Sequence, residues 1–507
     1  MHTEGAGRRD VLFLTGMSVI AQLLGFAYRV CLSRTVGAQV MGLYQLIMPV
    51  YAVLMSASSV GLTAAVSNGA ARAAALGRGR LLRQTLGAGV RAFLWVMVPL
   101  AAAVAILYDP ISVYFLGDAR TQLGLLLLLP CALLTGVENV HKHFFYGVGR
   151  VRPPALVELG EQLLRAAAVL GLLAVFSTGD PERAVGLIVA GMIVCETFSA
   201  ATLTALARRL LRRAGEGGAS EERGRLPRRL LSIAVPIGLN ALLGETLGAV
   251  NAAAVPRYLV LDGMAREAAM ADFGALRGMT MPMLALPCIF LGAVHLVVMP
   301  RVARGSALGD APGLRRDVER AMETVGAVVL PCMALMTVAG GETSMLLYRE
   351  PLAGRYLAPL ALATTCAAVA SVPSGALSAA GHASVSAAIG VGCGAVQLIL
   401  TAVAMRALGM GTAGFVLAVT ASGLLHLILC LLAARRYLGL SLRPRRRTVI
   451  CGLATLLCAW TAALLHAVLA GSGLPHAAVA AGTLGFGGTI YVCALAAMGW
   501  RGERKAK

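Results

Sequence analysis

Apolar segments long enough to cross a lipid bilayer recur along the whole 507-residue chain. Crossing roughly 30 Å of hydrocarbon takes about 20 apolar residues in a helix, which satisfies its own backbone hydrogen bonds in lipid. Windows of about 19 residues give about fourteen such segments. They run near 11–31, 43–67, 86–107, 121–140, 155–177, 184–206, 230–254, 273–299, 322–347, 357–380, 384–405, 412–434, 448–470 and 476–499. The sequence therefore predicts an all-α polytopic membrane protein with about 14 transmembrane helices.

The basic residues alternate in step with these segments. Of 44 Lys and Arg residues, 32 lie in the N-terminus and every second connection after it, 8 lie in the other connections, and 4 lie within spans. Lys and Arg concentrate on the cytoplasmic side of membrane proteins. We therefore predict a multi-pass protein of the cytoplasmic membrane with both termini in the cytoplasm. The net charge of +20 then follows from topology, and we expect no nucleic-acid partner.

Two charged linkers divide the predicted spans into groups of six, six and two. The first is 207–229 and the second is 435–447, both predicted to be cytoplasmic. They separate an N-terminal lobe (1–206, helices 1–6), a C-terminal lobe (230–434, helices 7–12) and a last segment (448–507, helices 13–14 and a tail). A repeat supports this division, because Gly149 precedes Gly381 by 232 residues and Pro49 precedes Pro282 by 233. Two homologous halves around a central site are common in transporters.

The chain shows no signature of catalysis or of a bound metal. Its 11 cysteines occur singly without a CxxC pair, and no Walker A, HExxH or GxSxG motif is present. We therefore predict that the protein is not an enzyme and holds no metal or cofactor. An ion gradient or the substrate gradient would drive any movement, and the coupling ion is left open.

A polar stripe interrupts the fifth predicted span. Glu158, Glu161, Gln162 and Arg165 share one helical face at spacings of three, four and seven residues. Charge in a span costs at least a few kcal/mol unless it faces protein or water. Two interpretations stay open for Glu161 and Arg165: a self-neutralised pair, or one wall of a water-filled cavity.

Two further arginines within spans favour a cavity. Arg29 and Arg277 have no acidic neighbour at helical spacing, so a hydrated cavity is the better interpretation for both. A guanidinium group binds phosphate oxygens bidentately and stays charged. These residues therefore predict an anionic ligand.

Several runs of the chain resemble one family of membrane proteins. They are GFAYRVCLSRTVGAQVMGLYQLIMPVYAVLMSASSVGLTAAVS (25–67), PPALVELGEQLLRAAAVLGLL (153–173), IAVPIGLNALLGETLGAVNAAAVPRYL (233–259) and GALRGMTMPMLALPCIFLGAVHLVVMPRVA (274–303). They resemble the stage V sporulation protein B family, in the polysaccharide-transporter branch of the multidrug/oligosaccharidyl-lipid/polysaccharide (MOP) flippase superfamily. Lipid II flippases are related, and they share the Arg-x4-Arg-x2-Gly pattern that Arg29, Arg34 and Gly37 carry here. One departure is Asn251, where the family usually has Asp.

The resemblance implies a flippase that moves an undecaprenyl-pyrophosphate-linked sugar, namely the peptidoglycan precursor lipid II for spore cortex synthesis, by alternating access. Its site would comprise Arg29, Arg34, Arg277 and the EQ-x-x-R core (Glu161, Gln162 and Arg165), with Glu161 holding Arg165 towards a pyrophosphate. Its partners would be the lipid-linked oligosaccharide and membrane lipids. One alternative is a cation-coupled multidrug exporter, which needs unpaired carboxylates and has only Glu138, Glu196 and Glu245 as candidates. Another is a non-transporting scaffold for cell-wall synthesis enzymes.

Overall fold

A computed structural model describes residues 2–176, 179–215, 225–441 and 445–500. Within these ranges the chain forms helices joined by short turns and bends, and no strand. The predicted all-α class is confirmed for the described part of the chain.

Eighteen α-helices follow one another along the described residues. Their bounds are α1 His2–Met55, α2 Gly61–Ala75, α3 Gly79–Ile106, α4 Tyr108–Pro110, α5 Gln122–Gly147, α6 Arg152–Phe176, α7 Pro181–Arg213, α8 Arg225–Leu261, α9 Arg266–Gly274, α10 Met281–Ala285, α11 Leu291–Leu308, α12 Ala311–Val338, α13 Gly340–Tyr348, α14 Pro351–Ala379, α15 Ala383–Ala402, α16 Gly411–Leu438, α17 Arg446–Ala470 and α18 His476–Ala497. π-Helical turns at Ser56–Val60, Ile111–Leu116, Ala275–Thr280 and Val403–Ala407, and 3-10 turns at Ala119–Thr121 and Leu286–Cys288, complete them.

By length and hydropathy, 12 helices of the described chain could cross a membrane, or 13 if the bent pair Arg266–Cys288 and Leu291–Leu308 counts as one span. One of the 12, Gly16–Ala75, is 60 residues long, or about 90 Å at 1.5 Å per residue. That is far longer than a bilayer is thick. It contains two helices that meet at Gly37, whose φ of 76° and ψ of 174° are not helical. This run therefore accommodates the first two predicted spans, and the total of fourteen stays a prediction.

Contacts divide the chain into two compact units. The first comprises 1–32 with 39–257, and the second comprises 33–38 with 258–507. The predicted lobe boundaries stay predictions. Helix reaches further into the first predicted linker than expected, because α7 continues to Arg213 and α8 begins at Arg225. The middle of that linker (216–224), part of the second (442–444) and the tail (501–507) lie outside the described residues.

The predicted repeat recurs in the helices of the two units at one constant offset. α3 (Gly79–Ile106) and α12 (Ala311–Val338) have equal lengths and begin and end 232 residues apart. Left-handed backbone positions, which Cβ sterics make rare outside turns, are repeated at the same offset. They pair Gly77 with Gly309, Gly117 with Arg349, Gly149 with Gly381 and Gly179 with Gly411. Four connections of the first unit thus have counterparts in the second.

Helix-capping side chains follow the same offset. Asp118 accepts a hydrogen bond from the backbone N–H of Arg120, and Glu350 accepts one from the N–H of Leu352. Both carboxylates satisfy a helix-start donor that lacks an intrahelical partner. Arg349 is the one non-glycine residue with positive φ in the described chain. It corresponds in the repeat to Gly117, so both units keep this turn with different residues.

Candidate functional site

Polar side chains from α6 and α7 form one buried cluster in the first unit. Glu161 and Arg165 lie one turn apart on α6, and on α7 Ser199 lies one turn after the adjacent residues Cys195 and Glu196. The two helices pack along their length, which brings the polar faces together. We call these five residues the Arg165 cluster.

Arg165 is the centre of this cluster. Its Nη2 forms ion pairs with Oε1 of Glu161 and, at 2.9 Å, with Oε1 of Glu196. Its Nε donates to Sγ of Cys195 at 3.4 Å, and Ser199 donates to Oε2 of Glu161 at 3.0 Å. Glu161 and Glu196 are only 5% and 2% exposed, whereas the Arg165 side chain is 21% exposed. The carboxylates therefore fix the guanidinium from the protein side.

One end of the guanidinium stays available. Nη1 of Arg165 makes no hydrogen bond to the described residues, whereas Nε and Nη2 are occupied. An arginine presents five N–H donors in a planar fork, so the two on Nη1 can meet a ligand. Glu161 thus forms the ion pair with Arg165 that one interpretation of the polar stripe predicts, and the water-filled cavity stays a prediction.

The cluster is not arranged as a metal site. Ligand atoms of Glu161, Cys195 and Glu196 lie within 4.8 Å of one another, a spacing that a metal ion could use. Arg165 hydrogen-bonds all three residues. The guanidinium therefore already supplies the positive charge to these ligands.

A further carboxylate borders the cluster. Glu138 of α5 is 4% exposed and lies beside Glu196. Oε2 of Glu196 is buried and has no hydrogen-bond partner among the described atoms. Glu158, the first residue of the polar stripe, is not part of the Arg165 cluster, because it pairs with Lys142 of α5 at 2.8 Å. Sequence reasoning identified Glu138 and Glu196 as isolated acids and did not foresee that they meet.

Helix α1 brings a second arginine into this region. Tyr28 and Tyr44 both lie close enough to Arg29 and Arg165 to interact electrostatically. Oε1 of Gln162 lies 3.5 Å from the place where a Cβ on Gly25 would stand, so α1 packs against the polar face of α6 here. The structure thus pairs Glu161 with Arg165 and places Gln162 against α1, the helix that carries Arg29.

The other two predicted site residues belong to the second unit. Arg34 donates from Nε to the carbonyl of Leu347 at 2.6 Å and from Nη2 to that of Leu346, and these carbonyls lie near the C-terminus of α13. Such a contact stabilises a helix end, so the structure gives Arg34 a capping role. Arg277 lies in the π-helical turn Ala275–Thr280 and makes no hydrogen bond or ion pair with any residue the structure describes.

Cys195 and Ser199 are site neighbours that sequence reasoning missed. Both occur in the apolar segment 184–206, where a small polar residue is unremarkable by itself. The available signal was Glu196 between them. A carboxylate in a span is costly, so residues one turn away from it are candidates for its partners.

The all-helical, multi-pass scaffold is a fold that known membrane transporters share. Two solved structures show the same fold. A multidrug resistance MATE family transporter of the MOP superfamily, inward-facing, has a TM-score of 0.69 at 12% identity, with 82% of this chain and 94% of that chain covered. The lipid II flippase MurJ, in an inward closed conformation, has a TM-score of 0.66 at 12% identity, with 96% and 98% covered.

Sequence comparison assigns the family. The model of the polysaccharide biosynthesis protein family matches residues 8–306, more than half of the chain, and the chain belongs to that family. Stage V sporulation protein B of Bacillus subtilis (strain 168) is 22% identical over 376 residues, which cover 69% of this chain and 70% of the relative. Sporulation protein YkvU of the same organism is 20% identical over 353 residues, covering 69% and 77%. The predicted resemblance is confirmed, and the family and folds matched are those of transporters and flippases rather than enzymes.

Proposed function

We propose that this protein is a flippase for an undecaprenyl-pyrophosphate-linked sugar, lipid II for spore cortex synthesis, and that it works by alternating access. The observation that carries the proposal is the state of Arg165, which two buried carboxylates orient while Nη1 remains available. A guanidinium fixed in this way is preorganised for a phosphate oxygen, so little entropy is lost when the ligand binds. The similarity to stage V sporulation protein B and the fold shared with a lipid II flippase support this substrate class.

Each site residue has a distinct part in this proposal. Arg29 is exposed on α1 and contributes a positive charge to the binding of the anionic headgroup. Arg165 offers Nη1 to the same headgroup, and Gln162 adds a neutral donor beside them. Arg277 is a further anion-binding residue in this proposal. Arg34 acts indirectly by capping α13, and Glu161 acts by holding Arg165.

The decisive experiment uses purified protein in vesicles that contain labelled lipid II. Accessibility of the label from one leaflet is measured with and without protein. We expect Arg29→Ala and Arg277→Ala to abolish translocation, and Arg29→Lys to restore part of it, because a point charge loses bidentate geometry. Arg91→Ala is the matched control, since Arg91 is an exposed arginine on α3. Full activity in both alanine variants would refute the anion site and favour the scaffold function.

A cation-coupled exporter is the second candidate, and one observation favours it. Glu138 and Glu196 are adjacent and buried, and Oε2 of Glu196 has no hydrogen-bond partner among the described atoms, as expected of carboxylates that bind and release a cation. Dye export driven by a proton or sodium gradient in the same vesicles, lost in Glu138→Gln and unaffected by Arg29→Ala, would establish this function instead.

A further inference from the structure

Two cavities of the second unit meet at one end of α12. The first, which we call the apolar cavity, has a volume of 330 Å³ and lies among α12, α14, α16 and α17. Its lining includes Met322, Gly326, Leu330, Val369, Leu431 and Cys451. The second, which we call the basic mouth, has a volume of 530 Å³ and is lined by Arg315, Arg316 and Arg445 among others. Because both include Glu319, Ser441 and Arg445, the two cavities adjoin, and we treat them together as one space.

This space is oriented for a lipid. The basic mouth lies at the first turns of α12, at the end of α16 and at the start of α17. Each of these helices is long and apolar enough to cross a membrane, so their ends lie at a membrane surface and the apolar cavity lies at hydrocarbon depth. A molecule with a charged head and an apolar chain fits both parts.

The charge of the basic mouth selects the headgroup. Arg315 pairs with Glu319 at 2.9 Å, and Arg445 lies 3.2 Å from Glu323 and 3.6 Å from Glu319. Arg316 donates to the carbonyl of Pro312 at 3.2 Å and forms no ion pair among the described residues. Three arginines against two glutamates leave one net positive charge. These lining residues therefore favour an anionic headgroup such as a phosphodiester.

The volume of the apolar cavity suits an apolar chain. The 330 Å³ of the apolar cavity far exceeds the roughly 10–15 Å³ of the same kind of volume that one water molecule needs. The cavity therefore has room for an apolar chain such as one acyl chain of a glycerophospholipid.

We propose that this space is a binding site for an anionic glycerophospholipid such as phosphatidylglycerol. One acyl chain fills the apolar cavity, and the phosphate lies against Arg316 and the outer edges of Arg315 and Arg445. Basic pockets between transmembrane helices are typical sites for anionic lipid headgroups. The inference goes beyond the proposed function, because this lipid is a resident ligand of the second unit and not the transported molecule.

The test measures lipid binding to delipidated, full-length protein in mild detergent. Phosphatidylglycerol, phosphatidylethanolamine and undecaprenyl pyrophosphate are added separately, and bound lipid is counted by native mass spectrometry. We expect phosphatidylglycerol to bind at least tenfold more tightly than phosphatidylethanolamine. We expect Arg316→Gln and Gly326→Leu each to weaken phosphatidylglycerol binding about tenfold, the effect of one lost charge-assisted contact or of a blocked chain site.

The internal repeat supplies the variants and the controls. The first unit has Gln84 and Leu94 at the positions 232 residues before Arg316 and Gly326. The glutamine and the leucine that the two substitutions introduce therefore already occur at the equivalent positions of α3. A Cβ at Gly326 would meet Leu330 at an ordinary 3.8 Å. The controls are Arg83→Gln, on the equivalent turn of the first unit, and Gly485→Leu, at an exposed glycine of α18 with open space around it. Both should bind phosphatidylglycerol normally.

Three results would overturn the proposal. One is equal binding of phosphatidylglycerol and phosphatidylethanolamine, and another is unchanged binding in both Arg316→Gln and Gly326→Leu. The third is undecaprenyl pyrophosphate displacing phosphatidylglycerol from this site, which would make the space part of the substrate path. Because the assay measures no transport, its outcome is independent of the flippase experiment.

Discussion

Replacing Arg165 with methionine should destabilise the protein far more than the loss of one surface charge. The substitution leaves Glu161 and Glu196, at 5% and 2% exposure, as neighbouring buried carboxylates without a counter-charge. Removing one partner of a buried ion pair costs about 3–5 kcal/mol, because the remaining charge is desolvated and unpaired. We expect a decrease of that size in the free energy of unfolding, measured by denaturant titration in mixed micelles.

A neutral triple variant separates stability from function. Arg165→Met combined with Glu161→Gln and Glu196→Gln removes all three charges, and ion groups replaced by neutral side chains of similar volume are often tolerated. We expect it to regain most of the lost stability while lipid II translocation stays absent. Arg91→Met is the control and should change the free energy of unfolding by less than about 0.5 kcal/mol. If Arg165→Met lowers it by less than about 1 kcal/mol, the guanidinium does not hold these two carboxylates.

Three shorter predictions concern packing, pH and topology. A Cβ on Gly136 would lie 2.0 Å from Cζ of Phe93, whereas one on Gly171 would meet nothing within 4 Å, so Gly136→Ala should cost about 1–3 kcal/mol of stability and Gly171→Ala almost none. Partial burial raises the pKa of Glu342, but His466, whose Nε2 lies 2.9 Å from Oε2 of Glu342, outweighs this effect and holds the pKa below the ordinary 4.5. The stabilisation from charged Glu342 is therefore complete above pH 4.5 and is lost as the pH falls through the lowered pKa. The free energies of unfolding of the wild type and of Glu342→Gln should converge over that fall in pH. A constant difference between them down to pH 3 would contradict this. A reporter fused after Lys507 should be cytoplasmic, and an extracytoplasmic signal would overturn the predicted orientation.

Much of the fold could be predicted because its cause is local. A run of about 20 apolar residues forms a membrane helix wherever it occurs, so the all-α class follows from the sequence. The spacing of Gly149 and Gly381 predicted an internal repeat. Left-handed turns occur in both units at the same 232-residue offset. The pairing of Glu161 with Arg165 also follows from sequence, because residues four apart on one helix always adjoin.

The remaining features depend on which helices become neighbours, and helical periodicity carries no information about that. Glu196 and Cys195 reach Arg165, and Ser199 reaches Glu161, only because α7 packs on α6. Glu158 pairs with Lys142 and not with Arg165, because α5 places Lys142 beside it. Arg34 resembled a ligand-binding residue in the sequence, yet it caps α13 more than 300 positions away. An apolar helix face packs favourably against many others, so the choice among them, and with it the partners of each charged group, is made by the tertiary structure.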